Sequence, residues 1–295
     1  MRTERAWWTA AILSLAAGSA HGQEEAPAVE LSPEMRRQLE VLSRIDWSDG
    51  PSTGQLGDIA RIAVPDAYRF TGASGTRELL ELWGNLSDEG DVGLVEPTAE
   101  DSTWSVVFEW APVGKVEDDE ELDAEALFAQ MKENEPAANE QRESRGFEPL
   151  ELVRFTTPPH YDAATNNLEW GLLVRSPSGD SINYQVKLLG RAGYMSATLL
   201  CEPTEVEAIL PEFRRLLAGY AYVEGQTYAE WKQGDPIAEY GITGLVLGGA
   251  AAAAWKMGLF GKLAKFGKVI VVAVLAGIGA IWKFFTGRRK DRAAS

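Results

Sequence analysis

Two apolar stretches near the C-terminus, residues 241–260 and 266–285, constrain this chain more than any other feature of its sequence. A helix rises ~1.5 Å per residue and the hydrocarbon core of a bilayer is ~30 Å thick, so each stretch is just long enough to cross. Trp255 and Trp282 stand towards the stretch ends, where amphipathic rings favour the interface. Lys256, Lys268 and Lys283 lie near ends as well, where their ammonium groups can snorkel to the headgroups. Gly244 and Gly248 are four apart, as are Ala273 and Gly277, which gives each helix a small face for close packing in lipid. With only the short basic linker 261–265 between them, a transmembrane helical hairpin is expected. The same faces also suit self-association between chains. In a one-span alternative, 266–285 crosses and 241–260 lies in the interface, which keeps the basic tail 286–295 on the cytoplasmic side.

Charge is segregated to match. The chain carries −16 overall, but residues 23–240 hold 42 acidic and 17 basic side chains, while 241–295 hold nine Lys or Arg and one Asp. A basic anchor beside an acidic domain suits a bilayer partner and disfavours nucleic acid. Residues 1–22 resemble a signal peptide: Arg2 and Arg5, an apolar core over 6–17, and Ala20-His21-Gly22 as a small-x-small cleavage site. The acidic domain, 23–240, is therefore expected to be exported, with the protein in a bacterial inner membrane. The single cysteine, Cys201, follows Leu199 and Leu200 and reads as a small buried hydrophobe.

The exported part reads as α+β, an antiparallel sheet with one layer of packed helices. Ser32-Pro33-Glu34 opens a short helix to about Arg44. Residues 59–64 and 68–70 resemble a hairpin about Pro65-Asp66, 76–83 a short helix, and 92–95 and 103–110 further strands. In the last of these, Trp104, Val106, Phe108 and Trp110 alternate onto one face. The acidic run 117–121 reads as the start of a helix that ends near Pro136, with a second, polar helix over 137–145. Strands at 151–156, 168–175, 181–189 and 194–200, separated by tight turns, imply an antiparallel meander. An amphipathic helix over 203–217 follows.

Chemistry is sparse in this sequence. The mature part has one histidine, His160, within Pro158-Pro159-His160-Tyr161-Asp162. It could act as a general base with Asp162, but a turn residue satisfied by local hydrogen bonds is the preferred reading. Asp118 and Asp119 are candidate ligands for a divalent cation. Their run is contiguous and lacks the glycine of a calcium loop, so a structural role is favoured. No phosphate loop and no nucleophile elbow is present, and no cofactor is expected.

Several separated motifs resemble one family. These are Trp110-Ala111-Pro112, Lys115 to Asp119, Leu122-Asp123-Ala124, Gln130-Met131-Lys132, Asn139-Glu140, Arg145-Gly146-Phe147 and Pro158 to Asp162. Trp170, Asn183-Tyr184, Leu189-Gly190-Arg191, Gly193 and Tyr240-Gly241 continue the pattern. Together they resemble the domain of unknown function 2167 family, uncharacterised bacterial membrane-anchored proteins. The resemblance implies a signal peptide, an exported domain and a C-terminal anchor, and no reaction. The first functional expectation is an envelope module that works by contact, in interaction with a protein partner or in a scaffold or stress-related role. Its rival is an envelope enzyme using carboxylates with His160 as helper, and a divalent-cation sensor comes third. The contact expectation includes an exposed aromatic patch with Trp47, Trp83 or Trp231.

Overall fold

The structure is a computed structural model that describes residues 32–99 and 101–248. Helix α1 (Pro33–Arg44) starts as expected, with the Ser32 hydroxyl accepting from the Met35 amide at 3.1 Å. Strands β1 (Ser48–Asp49), β2 (Ser52–Leu56), β3 (Ala60–Val64) and β4 (Tyr68–Gly72) follow, then helix α2 (Ala73–Leu82). Strands β5 (Asp91–Pro97) and β6 (Ser105–Ala111) precede helix α3 (Ala124–Ser144). The meander is β7 (Glu151–Asp162), β8 (Asn167–Ser176), β9 (Gly179–Leu189) and β10 (Tyr194–Cys201). Helix α4 (Val206–Leu217), strand β11 (Tyr220–Tyr222), a 3-10 turn at Tyr228–Glu230 and the short helix α5 (Ile242–Val246) complete the described elements.

The α+β reading holds: an antiparallel sheet of order β1-β4-β5-β6-β10-β9-β8-β7 carries packed helices. The expected meander forms, and its first turn carries Asn166 at φ 54°, a left-handed conformation its short polar side chain tolerates. Trp104, Val106 and Phe108 are buried on one face, as their alternation predicts. Against that face pack Ile209, Phe213 and Leu216 of α4 and the buried residues Leu56, Ala60, Ile62 and Val64. The last four belong to a second, three-stranded sheet of order β11-β3-β2. The covering layer is therefore part sheet and part helix, not helices alone. Cys201 is buried in this core, and desolvation pushes its thiol up to about 12.

Other departures have local causes. Strands β3 and β4 do not form a hairpin, because β3 joins the small sheet and β4 pairs with β1 and β5. Helix α3 runs unbroken past Pro136, which sits on the exposed side, so the two expected helices are one. Strand β7 continues through Pro158-Pro159 to Asp162, since an outer strand tolerates the missing amide donors. His160 is thus a strand residue, not a turn residue. The acidic run 117–121 is not helical; α3 begins at Ala124, after Asp123, whose carboxylate accepts from the Glu125 and Ala126 amides.

The run instead forms a strap along the segment leading to α5. The Lys115 amide donates to Pro236 O at 2.9 Å and the Ala238 amide to Lys115 O at 2.9 Å. The Ile242 amide donates to Glu117 O at 3.1 Å, and the Glu120 carboxylate accepts from the Thr243 amide at 2.9 Å and from its hydroxyl. A Cβ at Gly241 would come within 2.5 Å of that carboxylate, so a larger residue there requires the Glu120 side chain to shift. Tyr240, Ile242, Leu245 and Val246 are buried, and the compact unit runs to Leu247. Residues 241–247 therefore belong to the folded domain, and α5 ends before Gly248, whose φ of +90° breaks the helix. Among the described residues no helix is long and apolar enough to cross a membrane. The stretch 266–285, most of 241–260, Trp255, Lys256, Lys268, Ala273, Gly277, Trp282, Lys283 and residues 1–22 lie outside the described residues.

Candidate functional site

A groove of about 710 Å³ opens over the sheet, beside the last strand of the covering layer. Its lining includes Val186 and Leu188 of β9, Glu169 of β8 and His160 of β7. One wall is the end of α4, with Arg214, Leu217 and Ala218; β11 supplies Tyr220, Ala221 and Tyr222, and the 3-10 turn closes a side with Thr227, Tyr228 and Ala229. An apolar floor with a few convergent polar groups is the usual make-up of a binding site. These residues come from six separate elements, brought together only by the tertiary fold.

The polar rim is ordered by identifiable contacts. Arg214 donates to Glu169 Oε1 and to the Tyr184 hydroxyl, each at 3.3 Å. Burial first, and then Glu169, push the Tyr184 phenol up to about 12, so it stays neutral. His160 lies opposite Glu169 in the β7–β8 register. Asp162 accepts from the Ala164 amide and from the Thr165 hydroxyl, each at 2.9 Å, and those bonds hold its pKa below the usual carboxylate range. The structure therefore brings His160 and Asp162 to the same groove, but commits the Asp162 oxygens to the β7–β8 turn. The Thr227 hydroxyl is likewise engaged, donating to Glu230 at 2.6 Å.

Asp118 sits behind the groove rather than in solvent. Its carboxylate accepts from the Tyr161 hydroxyl at 2.5 Å and from the Tyr228 hydroxyl at 3.0 Å. Burial and this carboxylate together push Tyr161 up to about 12 and raise Tyr228 as well. The pairing ties the 3-10 turn to β7 and uses both oxygens of Asp118, whereas Asp119 is exposed. Among the described residues, no group of three or more Asp, Glu, His or Cys side chains is placed to hold a metal ion. Trp47, Trp83 and Trp231 are half-buried. The first two pack on the cluster of Ile45, Leu79 and Leu94, and Lys115 lies 5.0 Å from the Trp231 ring. Gly244 is buried against Tyr240 of the domain.

Sequence reasoning found His160 and Asp162 but missed Arg214, Glu169 and the tyrosines of β11. Tyr220 and Tyr222 alternate about Ala221 over too few residues to stand out as a strand, and nothing local ties them to β8.

The chain belongs to the family described as a protein of unknown function, DUF2167, which matches residues 48–279. No curated protein matches it in sequence. Among solved structures it is similar to cyanobacterial PsbP (CyanoP) from Synechocystis sp. PCC 6803. That likeness has 12% identity and a TM-score of 0.35, and covers 70% of this chain and 98% of the other. It is also similar to the Ran-binding protein Mog1p of Saccharomyces cerevisiae, at 10% identity and a TM-score of 0.33, over 64% of this chain and 99% of that one. Similarities this loose carry no inference about function.

Proposed function

We propose that this is a membrane-anchored envelope protein whose exported domain works by contact, taking a partner in the groove beside β11. The observation that carries the reading is the groove itself: apolar Val186, Leu188 and Leu217 beside a polar rim of Arg214, Glu169 and His160. The anchor rests on the apolar stretches and basic residues beyond the domain, and the export on the signal-like residues 1–22. A transmembrane hairpin, self-association through its small-residue faces and an inner-membrane location complete the proposal.

A photo-crosslinking side chain at Ala229, in the groove, tests it in intact cells against one at Leu42, exposed on α1. The groove position is expected to give a discrete adduct with an envelope protein, and Leu42 none. Equal labelling at both positions, or none at Ala229, overturns the contact reading. The enzyme alternative draws on the same groove, because His160 lies there with Asp162 and Glu169. It requires that His160→Ala abolish a turnover that the wild-type groove supports; an unchanged turnover leaves His160 a rim residue.

A further inference from the structure

We infer that the groove receives an extended polypeptide, which adds as a fourth strand to the free edge of β11. The inference rests on the contact reading above and names the class of partner.

Hydrogen-bond parity along β11 is the first argument. The Ala63 amide donates to Gly219 O at 3.0 Å and the Val223 amide donates to Ile59 O at 2.9 Å, in the register Tyr220↔Ile62 and Tyr222↔Ala60. In an antiparallel ladder hydrogen-bonded and non-hydrogen-bonded pairs alternate. Residues 219, 221 and 223 therefore point their backbone groups at β3. The amides and carbonyls of Tyr220 and Tyr222 point the other way, where no backbone bond joins them to another described segment. Tyr220, Ala221 and Tyr222 all line the groove although successive side chains of a strand point to opposite faces. What the three share on that side is the strand's edge. Donors and acceptors repeating every second residue, ~7 Å apart, match an extended backbone.

The outer strand of the large sheet shows the contrast. Along β7, Asn139 donates to Leu150 O and accepts from the Leu150 amide, Glu135 accepts from the Leu152 amide, and Pro158 and Pro159 have no amide to offer. That edge is blocked in the ways that keep sheets from pairing. Among the described residues the β11 edge carries no such guard, and it faces the groove. A strand laid beside β11 would turn alternate side chains down onto Val186, Leu188 and Leu217, which selects β-branched or other apolar residues there. Residues 23–240 carry 42 acidic and 17 basic side chains, so the outward-facing positions favour Lys or Arg.

The probe is a capped decapeptide of alternating valine and lysine, added to the full chain in detergent. It is expected to slow hydrogen exchange at the Tyr220 and Tyr222 amides by about tenfold or more. N-methylating either all valines or all lysines of the peptide should, in one of the two phases, weaken binding by at least about tenfold, since one phase removes the donors facing β11. Ala218→Trp, which fills the groove from an exposed position, should abolish binding with melting unchanged. No binding, binding without protection of the two amides, or equal binding of both methylated peptides overturns strand addition. If Ala229 captures a protein in cells while these outcomes occur, the contact reading stands and the strand inference alone falls. If Ala229 captures nothing, the contact reading falls on its own evidence.

Discussion

At the scale of single residues, the least expected feature is a lysine in the interior. Lys187 is 8% exposed on the face of β9 opposite α4, with its ammonium donating to the Ser196 hydroxyl at 2.6 Å between the Trp170 and Tyr194 rings. Burial pulls its pKa down from 10.5 to about 8, against a weaker upward pull from Glu109. A folded pKa below the unfolded one means the folded state releases its proton first, so stability rises with pH between about 8 and 10.5. Below that window the buried charge is a cost, of order 3 kcal/mol if the full shift is expressed. Lys187→Met removes the charge but leaves Ser196 without its donor, which returns about 1–2 kcal/mol of that cost. Chemical denaturation at pH 7 should then find the variant more stable by about 1–2 kcal/mol, with the gap closing as pH approaches 10. A variant less stable at pH 7, or a gap that ignores pH, would show that the lysine is held by contacts stronger than its desolvation.

At the scale of elements, legibility followed sequence separation. The β7–β10 meander could be read because each turn is local and announced by its own residues, as at Asn166-Asn167 and Ser178-Gly179. The small sheet could not, since β11 meets β3 from the far side of the chain and β2, Ser52-Thr53-Gly54-Gln55-Leu56, has a single large apolar residue and no apolar alternation. The acidic run misled for another reason. Consecutive carboxylates favour a helix start by their charge alone, but their partners here, Tyr161, Tyr228 and Thr243, lie 43 to 123 residues away. The strap they form makes a prediction. Glu120→Ala removes the acceptor of the Thr243 amide and hydroxyl, at a cost of about 1–3 kcal/mol for bonds to a charged group. Amide exchange should quicken across residues 241–246 while β6 and β10 keep their protection. Uniform quickening of all three would mean the strap is part of the global fold, not a local fastening.

At the scale of the whole molecule, packing decides where the folded domain ends. Charge and hydropathy place that boundary at residue 240, because the apolar run starts there. Packing places it after Leu247: Ile242, Leu245 and Val246 are each at most 2% exposed, and Tyr240 is 7% exposed. Hydropathy alone cannot separate an apolar residue that faces a protein core from one that faces lipid, and these first residues of the stretch face the core. Burying side chains of this size contributes ~1.5–3 kcal/mol each. A chain ending at Tyr240 therefore forfeits several kcal/mol, which for a domain of this size lowers the melting temperature by about 10 °C or more. A chain ending at Leu247 keeps those contacts, and should melt with the same midpoint as the full-length protein in detergent. It should also leave the membrane fraction on alkaline extraction, where full-length protein stays, if the residues beyond hold the anchor. Retention of the shorter chain in the membrane would move the anchor to the N-terminal stretch. Equal stability of the two shortened chains would show that the strap and α5 add nothing to the core they cover.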